Sequence, residues 1–350
     1  MMFMDNIKKL LEDENFIEAE KQIRKTLKTN SEDHEILYLL AYCLFNLGKY
    51  KEALKIKLSS DSRSLHLRGY CYFLLNEHEK AEKNLLNALE LKSDNSHIHY
   101  LLGQLYSRTN NADKSLYHLH MAKEGGINYT DLYEELGKIH FSRGEFEKAL
   151  RNYFNLIIIK PYDPLIYYMT GRCFLNLSNY KEAVKYIKGS IEKGLDNSFL
   201  LKARHLLALA YCGNKKFNSA EKVMREAIKK NLDYYSYYDL LGRILLSRMD
   251  YRRAREVFNK ILTRRLKPEE EAMFNIAFTY ILENKVDTAI HKLESILIKW
   301  ENHLKTHYTL GTLYFYINNK EKAREHWKVC AIIDPGGFGE KVKDYLRREG

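Results

Sequence analysis

Apolar residues recur every three or four positions along most of the chain, with polar and charged residues between them. Phe146, Ala149, Leu150, Tyr153 and Leu156 follow this spacing, which places them on one face of an α-helix. Short breaks separate the segments, and Gly or Asn in such breaks accepts the left-handed backbone that ends a helix. Breaks of this kind contain Gly48, Asn76, Asn110, Gly144, Asn284 and Asn318. The pattern predicts an all-α chain of amphipathic helices joined by short turns.

The helical segments repeat with a period of about 34 residues. In most copies a small residue follows an apolar one, an aromatic residue or His comes three positions later, and a second small residue comes about twelve positions later. Gly69, Gly103, Gly137 and Gly171 are each 34 residues apart, and the later steps are 34 to 37 residues. Proline removes a backbone hydrogen bond inside a helix but not in the segment between two helices. The four prolines lie at the predicted junctions: Pro161, Pro164, Pro268 and Pro335.

These motifs resemble the tetratricopeptide repeat, a 34-residue helix–turn–helix unit with the pattern W-x2-L-G-x2-Y…A-x3-F…P. The resemblance implies an α-α superhelix, a right-handed solenoid of about ten repeats over residues 1–335, with a capping helix over 336–350. A degenerate first unit is expected before residue 34. The other units are expected to begin near His34, Ser62, Ser96, Thr130, Pro164, Leu201, Tyr235, Glu270 and Leu304. Irregularities are expected near 58–62 and 194–200, where the spacing departs from the period.

The resemblance also implies a binding surface, because positions 5 and 9 of each unit face the concave groove of such a solenoid. Aromatic residues with interspersed Arg are typical of binding hot spots. The predicted groove residues are Tyr38, Tyr42, Tyr70, Tyr100, Gln104, Lys138, Tyr168, Arg172, Asp239, Arg243, Phe274 and Tyr308. The alternative is that the tyrosines pack between units. Some family members hold chaperone C-termini with Lys and Asn, but Tyr38, Tyr42, His66 and Tyr70 occupy the matching positions here.

Positive charge is concentrated in one region. The chain has 57 Lys and Arg against 46 Asp and Glu. Residues 1–150 have 21 basic and 23 acidic side chains, a net charge of −2, whereas residues 151–267 have 24 and 10, a net charge of +14. The predicted outer, convex basic surface contains Lys181, Lys185, Lys188, Lys222, Arg225, Lys229, Arg252, Arg253, Arg264 and Arg265. A solvated face is the alternative to a docking surface for an acidic protein.

Candidate catalytic and metal-binding motifs are absent from the sequence. The segment Gly336-Gly337-Phe338-Gly339 lacks the Lys-[Ser/Thr] and preceding strand of a phosphate-binding loop. His303 and His307 have no Glu-x-x-His context. The five cysteines are too widely spaced for a disulfide framework or a zinc knuckle. We therefore expect no enzyme activity, no metal and no cofactor.

These observations predict a non-enzymatic scaffold or adaptor that binds protein partners, one of them acidic, in a secretion, motility, envelope or regulatory assembly. The alternative is a nucleic-acid-binding regulator that uses the basic surface of residues 151–267; nucleic acid and anionic lipid are less favoured because the aromatic residues lie mainly in the groove. A third alternative is a purely structural enzyme subunit. Asp5 and Lys8 interrupt any signal-peptide core, and no apolar run is long enough to span a membrane, so a cytoplasmic location is expected.

Overall fold

The computed structural model describes residues 2–27, 33–92 and 94–348, and within these ranges every regular element is an α-helix. Successive helices form pairs joined by short turns, which confirms the predicted all-α repeat architecture. The contacts within the chain divide it into two compact units, residues 1–161 (unit 1) and residues 162–350 (unit 2). Each unit is described by itself below. The prediction of one continuous array over residues 1–335 stays a prediction.

Unit 1 contains five helix pairs in its described part. The two helices of each pair pack against each other, and the second helix of a pair packs against the first helix of the next pair in the unit. The helices are α1 (Met2–Glu12), α2 (Phe16–Leu27), α3 (His34–Asn46), α4 (Tyr50–Ala53), α5 (Ser62–Leu74), α6 (His78–Leu91), α7 (Ser96–Arg108), α8 (Ala112–Glu124), α9 (Thr130–Ser142) and α10 (Phe146–Ile159).

Unit 2 contains five further pairs and one additional helix in its described part. The helices are α11 (Pro164–Asn176), α12 (Tyr180–Glu192), α13 (Asn197–Gly213), α14 (Phe217–Lys230), α15 (Tyr235–Ser247), α16 (Tyr251–Thr263), α17 (Glu269–Leu282), α18 (Val286–Lys299), α19 (Leu304–Tyr316), α20 (Lys320–Ile333) and α21 (Phe338–Arg348). The pairs run from α11/α12 to α19/α20, and α21 packs on α20.

The first helices begin where the repeat frame predicts them. Most start at the expected residue; α17 starts one residue early and α13 starts at Asn197, before the expected Leu201. Asp or Asn side chains cap several of these starts by accepting hydrogen bonds from backbone N–H groups. Asp33, for example, accepts from Glu35 N and Ile36 N. The cap therefore explains why the helix begins there.

The predicted turn residues adopt the left-handed backbone. At the six positions named above, φ lies between 59° and 75°. Asn reaches this region at modest cost and Gly at none, so both end a helix and release the chain toward its antiparallel partner. The predicted turn chemistry is confirmed.

Close packing of the two helices of a pair depends on the small residue at position 8 of the repeat. A Cβ atom added to Gly137 would lie 2.7 Å from the ring of Tyr153. At Gly103 it would lie 2.6 Å from Leu119, and the Gly103 carbonyl accepts a hydrogen bond from Ser115 Oγ at 2.7 Å. The two helices can therefore approach closely only because no side chain separates them.

The expected irregular segments have distinct structures. Helix α4 has only four residues, and residues 54–61 after it form no regular helix. Helix α13 has 17 residues, longer than the 13 of most first helices. At the C-terminal end, α21 buries Val342 and places the Tyr345 ring 5.0 Å from that of Trp327. The last two residues of the predicted cap, 349–350, lie outside the described residues.

Buried side chains fill the predicted core positions of the second helices. Ala183 and Ile187 on α12, Ala220 and Met224 on α14, and Phe258 on α16 are fully buried. The cations on the same helices therefore point away from this core. Through the described ranges, we find no helix that combines the length and apolar character needed to cross a bilayer.

Candidate functional site

In unit 1, the predicted groove residues of α3 and α5 form an aromatic cluster. The rings of Tyr38 and Tyr42 stack with centroids 6.3 Å apart. The Arg63 guanidinium lies 3.9 Å from the centroid of the Tyr38 ring, and the rings of Tyr70 and Phe45 are 4.8 Å apart. Tyr38, Tyr42 and Tyr70 are half-buried. Each keeps exposed ring surface that a partner can contact.

Tyr100 and Gln104 on α7 are bound to each other. The Gln104 Nε2–H group donates a hydrogen bond to the Tyr100 hydroxyl at 2.8 Å, and the Tyr129 ring packs edge-on at 5.3 Å. Only 9% of Tyr100 is exposed, and burial raises the pKa of its hydroxyl. For Tyr100 this geometry favours the alternative interpretation, in which the ring packs between neighbouring repeats of unit 1.

Lys138 does not present an unpaired positive charge. Its ammonium lies 2.7 Å from Glu134 and 3.4 Å from Glu135, on the same helix α9. Partial burial disfavours the charged ammonium, but the hydrogen bond to Glu134 and the charge of Glu135 outweigh this, so the pKa of Lys138 is raised. This part of unit 1 is therefore neutral or acidic, whereas the sequence suggested a cation in the groove.

In unit 2, Tyr168 and Arg172 lie one turn apart on α11. Tyr168 is 3% exposed and packs on the Phe199 ring at 5.6 Å, so it too is a packing residue. The Arg172 guanidinium is 5.6 Å from the centroid of the Tyr168 ring. Arg172 is half-buried. The buried Tyr168 ring therefore stabilises the charge of Arg172, a predicted groove residue, through a cation–π contact.

Asp239 and Arg243 form a polar centre on α15. Arg243 lies 3.8 Å from Asp239, and Asn275 on α17 donates a hydrogen bond to Asp239 at 3.2 Å. Burial raises the pKa of Asp239, and the Arg243 charge opposes that rise. The Arg243 side chain remains 65% exposed. Of this pair, Arg243 is the group available to a partner.

The end of unit 2 is aromatic. Phe274 stacks on Phe278 with centroids 6.3 Å apart and an angle of 16° between the rings. Tyr308 packs on Phe338 of the C-terminal helix at 4.9 Å. The repeat positions could not predict Phe338, because it lies outside the repeat frame. Phe278 occupies position 9 of its repeat but is not among the groove residues predicted from the sequence. Phe274 and Tyr308 are half-buried and Phe278 is 37% exposed, so all three rings keep surface that a partner can contact.

The outer basic surface is organised around Glu221, which is 8% exposed. Arg225 lies 2.8 Å from its carboxylate, and Arg248 and Arg253 also bind it. Burial alone would raise the pKa of Glu221, but the hydrogen bond from Arg225 and the charge of Arg253 lower it. Sequence reasoning missed this residue. The available signal was Glu221 itself, in the first half of a helix with four basic and two acidic residues.

Most of the predicted outer cations are paired. Lys185 lies 3.5 Å from Glu182, Lys188 lies 3.2 Å from Glu192, and Arg252 lies 3.3 Å from Glu256. Arg264 lies 3.5 Å from Asp233. The ion pairs within the described ranges do not include four of the predicted cations: Lys181, Lys222, Lys229 and Arg265. The net surplus of positive charge is therefore carried by a subset of the predicted surface.

Family models match three segments of the chain. Tetratricopeptide repeat models match residues 62–95 and 205–271. The chain is a tetratricopeptide repeat protein. A model described as anaphase-promoting complex (cyclosome) subunit 3 matches residues 8–58 of this repeat protein. Repeats of this family are generally non-catalytic protein-interaction modules, so protein partners are implied.

Individual relatives of this tetratricopeptide repeat protein are distant. Intraflagellar transport protein 70A of Danio rerio is 33% identical over 61 residues, which is 17% of this chain and 9% of that protein. The C-terminal part of a repeat-containing protein from Cytophaga hutchinsonii has a TM-score of 0.49 at 17% identity, over 80% of this chain and 98% of that one. A repeat protein from Parabacteroides merdae has a TM-score of 0.48 at 18% identity, over 72% and 98%.

Proposed function

We propose that the protein is a non-enzymatic scaffold or adaptor that holds a partner segment on the first-helix face of unit 2, within a larger secretion, motility, envelope or regulatory assembly. The first-helix face is the surface formed by Arg172, Arg243, Phe274, Phe278 and Tyr308. Extended faces of this kind serve repeat proteins as protein-binding surfaces.

The observation that carries the proposal is the stacked pair Phe274 and Phe278 on the same face as the exposed Arg243. Phe278 is 37% exposed, and the Arg243 side chain is 65% exposed. Aromatic rings and Arg are enriched among residues that dominate binding energy. A segment with apolar anchors and a carboxylate would match this combination.

Affinity capture from the native organism with identification by mass spectrometry tests the proposal. Arg172→Glu together with Arg243→Glu should abolish capture, and Phe278→Ala should weaken it, while Lys181→Glu on the outer surface serves as the matched charge control. Circular dichroism must show unchanged helicity for every variant. If the double reversal and the control capture the same proteins as the wild-type chain, the first-helix face is not the binding surface.

We also propose that an acidic protein docks on the outer basic surface. A pocket of about 200 Å³ supports this, because Arg225, Lys229 and Lys260 surround an apolar floor. The floor consists of Ile228, Tyr238, Leu241 and Val257. A carboxylate beside an apolar side chain fits such a lining.

Salt dependence separates this acidic-protein proposal from the nucleic-acid alternative. Nucleic-acid binding weakens steeply with salt, since each phosphate contact releases a counterion. If the surface binds an acidic protein, mobility shifts of duplex and single-stranded nucleic-acid probes at two salt concentrations should show no specific complex. A salt-sensitive shift that is lost in Lys229→Glu would favour the nucleic-acid alternative instead.

A further inference from the structure

A second pocket, in unit 1, has the lining of an anion site. It has a volume of about 320 Å³ and lies where α8, α9 and α10 meet. This volume is near the lower end of the ~300–1,000 Å³ typical of small-molecule sites. Its lining residues, none of them acidic among the described residues, are His120, Lys123, His140, Lys148, Arg151, Asn152 and Asn155.

The imidazole of His140 is held in one orientation. His140 is 4% exposed, and its Nδ1 atom lies 2.8 Å from Glu145 Oε2. A carboxylate only accepts hydrogen bonds, so Nδ1 carries the proton and donates to Glu145. The His120 ring, from α8, lies 6.2 Å from the His140 ring. Two rings from different helices therefore line the pocket, and that of His140 is fixed by Glu145.

The cations of the pocket are positioned by neighbouring groups. Lys148 is 3.0 Å from Glu145, and the Lys123 ammonium is 5.3 Å from the centroid of the Tyr133 ring. Each ammonium has three donors, so these contacts leave donors for a ligand. Arg151 is exposed and belongs to no ion pair within the described ranges. Its guanidinium can present a two-pronged donor pair to an oxyanion.

Positive charge is already crowded at His120. Burial, the adjacent His140 and the charges of Lys123 and Lys148 lower the pKa of His120, while Glu124 opposes them. Glu145 neutralises only part of this charge, since it is shared among Arg143, His140 and Lys148. A bound anion would relieve the repulsion among these groups.

We propose that this pocket binds the diphosphate group of a small phosphorylated ligand. Arg151 and the two lysines supply charge, and the amides of Asn152 and Asn155 supply neutral N–H donors. Asn152 donates one N–H to the Lys148 carbonyl at 2.9 Å, which leaves its second N–H for the ligand. The pocket shares no residue with the first-helix face, and the proposal does not depend on the proposed scaffold function.

A small ligand fits the pocket better than nucleic acid does. Residues 1–161, the unit that contains the pocket, have 23 basic and 23 acidic side chains and so no net charge. The unit therefore provides no extended positive field for a long polyanion. The positive charge is local to the pocket, and its size suits a compact group. Recognition therefore rests on close contacts rather than on long-range attraction.

Calorimetric titration of the full chain with inorganic pyrophosphate in 0.15 M salt, a concentration that screens weak surface attraction, tests the proposal. We expect saturable binding at one site. Arg151→Ala and Lys148→Ala should each weaken it by about tenfold, the usual effect of losing one charge-assisted contact. Lys83→Ala, an exposed lysine on α6 of the same unit, is the matched control and should leave the affinity unchanged.

Further arms identify the group that is bound. ADP should bind about as well as pyrophosphate, whereas AMP and sulfate should bind at least tenfold more weakly. NMR titration should show a higher pKa for His120 when pyrophosphate is present, a response that a structural role of the pocket would not produce. The proposal is overturned by absence of saturable pyrophosphate binding, by equal affinity for sulfate, or by an Arg151→Ala affinity equal to that of the wild-type chain.

Discussion

The Nδ1 atom of His99 lies 2.9 Å from the Nδ1 atom of His118 in the interior of the α7/α8 pair. One ring must donate the single shared proton and the other must accept it, because two protonated nitrogens would face each other. The ring of Tyr106 stacks on His118 at 5.5 Å. His307 and His326 repeat this arrangement in α19/α20, with Nδ1 atoms 2.9 Å apart and Tyr314 stacked on His326.

The histidine pairs predict loss of stability in acid. Burial, followed by the neighbouring His99 and Lys114, lowers the pKa of His118 to about 4, while Glu82 opposes the shift. Burial, His307 and Lys322 likewise lower the pKa of His326 to about 4, with Glu294 opposing. The folded-state pKa is thus below the ordinary value near ~6.5. The stability from neutral imidazoles is present above about pH 6.5 and is lost as the pH falls toward 4.

Urea denaturation at pH 7 and pH 4.5 measures this loss, which we expect to reach roughly 2 kcal/mol for each pair. His118→Phe keeps an aromatic ring but removes the hydrogen bond to His99, so it should be less stable than the wild-type chain at pH 7. Because the phenyl ring cannot be protonated, the variant should lose less stability on acidification. His97→Gln, at an exposed position on α7 of the same helix pair, is the control. Equal pH dependence in His118→Phe and the wild-type chain would contradict the assignment.

Glu221→Gln should destabilise unit 2. The change removes the negative charge that Arg225, Arg248 and Arg253 share. Because the three arginines are partly exposed, we expect a loss of about 2 kcal/mol, below the 3–5 kcal/mol of a fully buried pair. Thermal and urea unfolding measure it. Glu182→Gln, which breaks the exposed pair with Lys185, should cost under about 0.5 kcal/mol, and similar losses for both variants would contradict the role of Glu221.

Two Gly→Ala substitutions should have opposite signs. In Gly137→Ala the new Cβ would lie 2.7 Å from the Tyr153 ring, so we expect a loss of about 1–3 kcal/mol from overpacking. In Gly189→Ala, within α12, the Cβ would lie 3.4 Å from the Tyr167 ring, an ordinary contact. This variant should gain about 0.5–1 kcal/mol because Ala favours the helix. Urea midpoints of the two variants decide the matter, and a shift in the same direction would refute the packing argument.

Val342→Asp should detach the C-terminal helix. Val342 is 1% exposed, and an unpaired carboxylate there would be buried without a partner. Detachment would separate Tyr345 from Trp327, so the tryptophan emission should shift to longer wavelength and unit 2 should unfold at lower urea. Lys343→Ala, at the adjacent and more exposed position, should change neither. An unchanged emission spectrum in Val342→Asp would show that α21 does not protect Trp327.

The repeat frame and the helix boundaries could be predicted from the sequence because they depend on local chemistry. The period of the small residues located the starts of the first helices, and Asn or Gly located the turns between helices. The shift of α13 to Asn197 could not be predicted in this way. Asp196 accepts a hydrogen bond from Ser198 N there and caps an extra turn, a choice among several possible caps in the same segment.

The candidate surfaces were less predictable, since exposure and pairing depend on neighbours that are distant in sequence. Tyr100 and Tyr168 have the same repeat position as Tyr38, yet they are buried, while Tyr38 remains half-exposed. Lys138 and Arg243 occupy the same position of their repeats. Two glutamates bind Lys138, whereas Arg243 lies 3.8 Å from one aspartate and is more exposed.

By itself, the sequence determined the family, the helix pairs and the concentration of positive charge in residues 151–267, because periodicity and composition are properties of the chain alone. Only the tertiary structure decided which charges are neutralised and which remain available. Glu221 binds one arginine on α14, one directly after α15 and one on α16. The His120 ring on α8 lies 6.2 Å from the His140 ring on α9. Arg248 and Arg253 lie 27 and 32 positions from Glu221, and His140 lies 20 positions after His120. The distances between these residues follow from helix packing, which no local pattern encodes.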